Sequence, residues 1–437
     1  MKKNLRIGLI LALMVMLLFT VTSCDSKPDE TSTKMQFVAD FSSERMLETI
    51  KVLSAVDNAR IAGFEGESNA AIYIADQFNQ MGLEVSEQSF PIKAYVCNSL
   101  ILKVTSESDR VIEEAKALSF SAATPDGGLL GEIVPLGLGA ESDYDGVDVE
   151  GKIVLMQRGG EFFFVKTARA AQKGAIGALF YDPQSEGAIS ATLTELSKIP
   201  AVSINRAEGE GIEKLLSEGN IVTVSMELDT TYEDSTSKNI KALYKSSENP
   251  EGLRLVIGAH YDGVDTPAAN DNASGAAVIL EMAKVISEQQ IVLPYDVEFV
   301  AFGAEEIGLI GSEQYVRNMT REENKAIIAM INFDMVGVGD VFDIGTAEGY
   351  SAADLVKVTM DTLEEMGYKP TTSTTDRSDH APFAYSGIDA VYVQVGPFHD
   401  YHTDLDTIEG IDPKMLQKVC ELGAKLIVDA ISEEYGK

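Results

Sequence analysis

The sequence predicts an α/β protein: a mostly parallel mixed sheet flanked by helices, with a β-rich domain inserted into it. Apolar runs at residues 253–257, 297–302, 327–333 and 390–395 alternate with helix-like stretches. That pattern belongs to a sheet covered on both faces. Between residues 111 and 232 the texture changes to short apolar runs separated by Gly and Asp turns, which reads as a separate β-rich unit splitting the α/β domain. Each of the four runs also leads into a chemically active side chain: His260, Glu305 with Glu306, Asp334, and Tyr401 with His402. In an open α/β sheet, ligands bind outside the carboxyl ends of the strands, so these residues mark the candidate site.

Taken in order, the chain opens with Lys2, Lys3 and Arg6, an apolar run at 7–19, and Val21-Thr22-Ser23-Cys24. This is a secretory signal spanning residues 1–24. Residues 25–34 are polar and read as a flexible tether. The first segment of the α/β domain is assigned to 35–110. Ser42-Ser43-Glu44 starts one helix; Ser68 caps a second whose apolar positions are Ala71, Ile72, Ile74, Ala75 and Phe78, and Gly82 stops it. Arg60 to Gly66 reads as a loop with turns at Gly63 and Gly66, and strand-like alternation follows at 83–85 and 89–92.

The insert, 111–232, is expected to hold strands near 131–136, 152–156, 178–181 and 199–203 and an Ala-rich helix at 166–172. Its Gly137 to Gly139 stretch lacks the Lys-Ser/Thr and the strand-to-helix setting of a phosphate loop. The second α/β segment, 233–437, carries helices at 274–288, 312–318, 352–366 and 413–431. Thr320 with Glu323 forms a capping box for a short further helix.

The 437 residues are 45% hydrophobic, ample for a core, and carry a net charge of -34. That charge argues against nucleic acid or an anionic membrane surface as partner and for solubility outside the cell. Besides Cys24, only Cys97 and Cys420 remain; without metal-ligand spacing, both are read as buried free thiols.

Imidazole nitrogen and carboxylate oxygen are zinc donors, and a two-metal site needs a carboxylate that bridges. His260, Asp271, Glu306, Asp334 and His402 supply two His and three carboxylates. Two Zn²⁺ against three carboxylates and a hydroxide sum to neutrality, as a dry cleft demands. Neighbours leaving a strand point in opposite directions, so one of Glu305 and Glu306 can bind metal while the other faces the water, where a general base is needed. Asp262, two residues from His260, can hold its imidazole tautomer. Tyr401 can donate a hydrogen bond to an oxyanion.

His260-Tyr261-Asp262, Asn270 to Gly275, Glu305-Glu306, Asn332 to Gly337, Ser378 to Phe383 and Tyr401-His402-Thr403 together resemble the co-catalytic di-zinc aminopeptidase family. Its relatives include bacterial leucyl aminopeptidases, glutamate carboxypeptidases and glutaminyl cyclases. The resemblance implies the zinc exopeptidase fold, of the phosphorylase/hydrolase kind. It implies two Zn²⁺, one on His260 and Asp334 and one on Glu306 and His402, with Asp271 bridging and Glu305 as base. It also implies a cis peptide at Asp271-Asn272 and an Arg377 that approaches the substrate beyond the scissile bond. Residues 151–160 with Phe164, Lys166 and Gly174 resemble the protease-associated (PA) domain, and Ser23-Cys24 resembles a lipobox, implying cleavage and lipidation at Cys24.

The expected protein is a lipid-anchored or secreted zinc aminopeptidase on the extracellular side of a bacterial cytoplasmic membrane. It is expected to be monomeric and to act on peptides with free N-termini through a metal-bridging hydroxide. The free α-amine is expected near Glu305 and Asp334. The alternatives are a zinc carboxypeptidase or glutaminyl cyclase-like enzyme, and a catalytically inactive peptide-binding receptor. His380 is expected to be structural, and His399 to flank the cleft.

Overall fold

The computed structural model describes residues 40–55, 59–106 and 109–431. The expected signal segment with Cys24 and the tether lie outside the described residues. No helix among the described residues is long and apolar enough to cross a membrane.

Among the described residues, fourteen strands form one continuous hydrogen-bonded array. In chain order they are β1 (Glu84–Thr105), β2 (Asp109–Val111), β3 (Ala115–Ala117), β4 (Leu129–Pro135), β5 (Ile153–Gln157), β6 (Gly177–Tyr181) and β7 (Ala201–Ile204). They continue with β8 (Thr223–Tyr244), β9 (Arg254–His260), β10 (Asp296–Phe302), β11 (Ile327–Phe333), β12 (Val341–Thr346), β13 (Thr371–Thr374) and β14 (Ala390–Gly396). The main sheet runs β13-β12-β14-β11-β9-β10-β8. Its centre, β14-β11-β9-β10, is parallel, and β12 and β8 pair antiparallel at its two sides.

The two faces of this sheet explain its sequence. Along β9, Leu255, Ile257 and Ala259 face one core, built with helices Ser43–Leu53, Glu65–Gln80, Ser274–Gln289 and Pro413–Lys425. Val256 faces the opposite one, under helix His380–Tyr385. Burial on both faces is why these strands read as continuous apolar runs rather than alternating ones. Helix Ser274–Gln289 is buried through most of its length, and Gly275 lets its first turn approach β11: a Cβ there would lie 2.3 Å from the Phe333 carbonyl oxygen.

Two strands join the halves of the molecule. β1 and β8 pair antiparallel from Glu84↔Leu243 to Thr105↔Thr223, with one bulge between Cys97 and Ser99. One end of the ribbon belongs to the main sheet, where β8 pairs with β10. The other carries β4-β5-β6-β7, a parallel set edged by β3. Leu102 and Val104 pack in the insert's core with Val224 and Met226. The boundaries drawn at 110 and 232 thus fall on paired strands.

Several local expectations differ from the structure. The second helix starts at Glu65, not at Ser68. Its first turn is tied by the Glu67 carboxylate, which accepts the Gly63 amide at 2.6 Å, so Gly66 is helical and only Gly63, at φ +87°, makes the turn. Ile72 points outward, 53% exposed. Cys97 is exposed, at the bulge in the ribbon, while Cys420 is a buried free thiol against Met46. Helix Arg206–Ser217, capped by the Asn205 side chain on the Glu208 amide, strand β12 and edge strand β13 add to the elements expected from sequence.

Candidate metal centre

Four strand ends converge. His260 is the last residue of β9, Glu305 and Glu306 follow β10, Asp334 follows β11, and His402 lies on the loop after β14. Asp271 arrives on the turn that opens helix Ser274–Gln289, next to a cis Asp271-Asn272 peptide. His260 Nε2 lies 3.2 Å from Asp271 Oδ1 and 3.4 Å from Asp334 Oδ1. His402 Nε2 lies 3.0 Å from both Asp271 Oδ2 and Glu306 Oε2. The two oxygens of Asp271 therefore face the two imidazoles separately, as a bridging carboxylate requires.

The donor set fits metal better than it fits itself. Asp271 Oδ2, Asp334 Oδ1, Glu306 Oε1 and His402 Nε2 are buried and have no hydrogen-bond partner. Donors on one tetrahedral zinc, at about 2.0–2.1 Å from it, stand roughly 3.3 Å from one another. The observed 3.0–3.4 Å separations match this spacing. The local field also calls for cations. Although burial opposes it, His260 and His402 hold the Asp271 carboxyl well below the usual range. Burial would lower His402, yet Glu306 and Asp271 raise it to about 9.

Glu305 takes a different place from its neighbour. One of its carboxylate oxygens groups with His260 and Asp334, whereas Glu306 groups with His260 and Asp271. Burial first, then Glu306, Asp379 and Asp334, push the Glu305 carboxyl well above its ordinary value. Asp262 sets this pair: its Oδ1 and Oδ2 accept the amides of Glu305 and Glu306, each at 3.1 Å. His260 Nδ1 lies 3.2 Å from the Asp262 carbonyl oxygen and 3.6 Å from its Oδ1. Asp262 thus holds the ring of one candidate ligand and the backbone of another.

Five supporting residues carried no role in the sequence reading. Asp406 accepts the amides of Asn270 and Asp271 at 2.7 and 3.0 Å, fixing the bridging residue. Asn272 donates to the Phe333 carbonyl at 2.9 Å and so ties that turn to the end of β11. Ser378 donates to Asp334 Oδ2 at 2.6 Å. Glu67 accepts the Ala304 amide at 3.2 Å, just before the glutamate pair, and burial first, then Asp262, push its carboxyl to about 8. Arg60, 1% exposed, donates to the carbonyls of Tyr261 at 2.6 Å and Ala268 at 2.9 Å, and also to Leu53 and Pro267. It braces the segment between His260 and Asp271. Asn272 and Ser378 lie inside motifs that the sequence displays, whereas no local pattern marks Asp406, Glu67 or Arg60 for this work.

His380 stays out of the donor set, as expected. Its Nε2 donates to the Thr375 carbonyl at 2.9 Å, and burial lowers the imidazole to about 4. A free histidine titrates near 6.5, so folding favours the neutral ring. That stability is complete above about pH 6.5 and is lost as pH falls toward the folded value, up to about 3 kcal/mol. In chelator-treated protein, the stability difference between wild type and His380→Gln is expected to shrink steadily from pH 7 to pH 4. A difference independent of pH would overturn this account.

Two adjoining cavities of about 470 and 420 Å³ lie over the site and share Arg158, Glu305, Arg377 and Tyr401. His399 lines the first and Phe162, Phe163 and Phe164 line the second. The Tyr401 ring stacks on His402 with centroids 3.7 Å apart. The Arg377 guanidinium lies 4.6 Å from the ring of Phe162 and makes no ion pair among the described residues.

Residues 239–427 match Peptidase family M28, and residues 129–212 match the PA domain. Aminopeptidase YwaD of Bacillus subtilis is 31% identical over 411 residues, covering 90% of this chain and 86% of its own. The chain belongs to peptidase family M28. Among solved structures, this M28 peptidase is similar to the aminopeptidase from Aneurinibacillus sp. strain AM-1, with 31% identity, 91% and 96% coverage and a TM-score of 0.72. It is also similar to BSAP, a zinc aminopeptidase from Bacillus subtilis, with 30% identity, 90% and 95% coverage and a TM-score of 0.72. A probable lipoprotein aminopeptidase, LpqL of Mycobacterium tuberculosis, is 31% identical over 294 residues, which cover 65% of this chain and 56% of that protein. The β-rich insert of this M28 peptidase is accordingly a PA domain.

Proposed function

We propose that this chain is a zinc aminopeptidase that removes N-terminal residues from peptides, with Glu305 as general base. The carrying observation is the paired donor set, with one oxygen of Asp271 facing each imidazole. His260, Asp271 and Asp334 would hold one zinc; His402, Asp271 and Glu306 the other. Zinc, when bound there, supplies Lewis acidity that polarises a peptide carbonyl and acidifies water.

The chain's own groups do the rest. Glu305 takes the proton from the attacking water and passes it to the leaving amine. Burial and its carboxylate neighbours raise its proton affinity, which suits a group that must accept and then return a proton. Burial, Asp271 and Glu306 also hold the Tyr401 phenol well above its ordinary value, so it stays a donor for the developing oxyanion. Asp262 keeps His260, Glu305 and Glu306 in register. The substrate's free α-amine sits near Glu305 and Asp334, and Arg377 approaches the residue after the scissile bond.

The carboxypeptidase reading needs a cluster of free cations for a terminal carboxylate. Arg158 does join Arg377 at the cavities, but it is paired with Asp182 at 3.0 Å. One unpaired guanidinium is a weak clamp, and this favours the aminopeptidase over the carboxypeptidase. The inactive-receptor reading loses ground because all five metal donors and Glu305 are present. We place the enzyme outside the cell, lipid-anchored at Cys24 or secreted, and monomeric.

The test is release of N-terminal residues from aminoacyl-anilides and N-blocked peptides, with and without chelator. Chelator-sensitive cleavage of free-amine substrates alone, restored by about two zinc ions per chain, is the expected result. Cleavage of blocked peptides from the other end would replace the proposal with a carboxypeptidase.

A further inference from the structure

The PA domain reaches the metal centre through a specific set of side chains. β5 and β6 are adjacent parallel strands that end at the same level, Gln157 opposite Tyr181. The next residue on each is charged: Arg158 after β5 and Asp182 after β6. Asp182 is buried, and its Oδ2 receives Arg158 Nη1 at 3.0 Å, while its Oδ1 accepts the Gln184 amide at 2.8 Å. The Arg158 amide donates to the Tyr181 carbonyl at 2.8 Å. The guanidinium is thereby fixed at both ends of its residue.

It is fixed onto the other domain. The Arg158 guanidinium carbon lies 4.7 Å from the centroid of Tyr401, and Nη1 also approaches the Tyr401 carbonyl at 3.4 Å. Tyr401 in turn stacks on His402. A second tie from the PA domain closes the loop from behind: the Ser190 amide donates to the His402 carbonyl at 2.6 Å. His402 needs such support because it sits in the left-handed region, at φ +60°, which non-glycine residues adopt only where surroundings hold them.

We infer that Arg158, anchored by Asp182, is a positioning residue for His402 and Tyr401, so that the PA domain builds one of the two metal positions. The inference rests on the aminopeptidase reading for its effect on turnover, but not for its effect on metal. The opposite position, on His260 and Asp334, has no such tie to Arg158, so the effect is one-sided.

The experiment compares full-length wild type, Arg158→Met, Arg158→Lys and Asp182→Asn, each titrated with zinc against a chromophoric chelator and assayed on an aminoacyl-anilide. Arg158→Met is expected to weaken one of two zinc sites by about 10–100-fold, as loss of a residue that orients a ligand does. The other site should keep its affinity, and kcat should fall by a similar factor with little change in KM. Arg158→Lys, which retains a cation over the ring, should recover part of both. If the Met variant also lowers the melting temperature, Asp182→Asn, which frees the guanidinium without removing it, should still weaken the same single site. Wild-type affinity at both sites in Arg158→Met and Asp182→Asn, or equal weakening of both sites, would overturn the inference. A wild type that binds two zinc ions but cleaves no anilide would instead sink the aminopeptidase reading and leave the zinc comparison intact.

Discussion

Glu305→Gln is expected to lower kcat by about 10³–10⁴-fold with two zinc ions still bound and KM little changed. Gln keeps the shape of the side chain and its place beside His260 and Asp334, but it cannot take a proton. The metal donors remain as they were, because the Asp262 carboxylate holds residues 305 and 306 by their amides and not by their side chains. Steady-state kinetics with metal analysis of the same sample decide the matter. Turnover within about tenfold of wild type would show that another group moves the proton.

The largest expected loss of stability comes from a residue that touches neither metal nor substrate. Arg60 is buried and spreads its donors over carbonyls at Leu53, Tyr261, Pro267 and Ala268. Arg60→Met fills much of the volume but removes a donor from each of those carbonyls, leaving Ala268 with the Ala273 amide, and it removes a cation that faces Asp262, Asp406, Asp271 and Glu306. The expected cost is about 3–5 kcal/mol. In the metal-free protein it should read as a melting temperature lower by roughly 4–6 °C. Arg60→Lys should recover only a fraction, because one ammonium cannot span the same acceptors. A melting temperature within about 2 °C of wild type for the Met variant would remove Arg60 from this bracing role.

The strands that carry the site were legible because they are buried on both faces and end in residues that have no business in a core. β11 has the same limits in sequence and structure, and the run ahead of His260 differs by only a few residues. What was hidden depends on distance along the chain. Arg60 is 201 residues from the carbonyl it holds at Tyr261, and Arg158 is 243 residues from Tyr401. No local pattern encodes such contacts. Ser68 misled because it has the chemistry of a helix cap, whereas the real start is satisfied by Glu67 reaching back to Gly63. β13 was invisible for another reason: Thr371–Thr374 is exposed throughout and bears no apolar period. Cys97 was read as buried from the habit of its residue type, yet it sits at a bulge where the ribbon turns one side chain outward.

The β1–β8 ribbon has a mechanical consequence. Flexible linkers let domains swing at little cost, but here two segments of the chain cross between the bodies side by side, laddered to each other along both lengths. A hinge motion that widened the cleft would have to bend this double beam or part some of its rungs. The opening between the two halves is therefore held by the stiffness of a sheet.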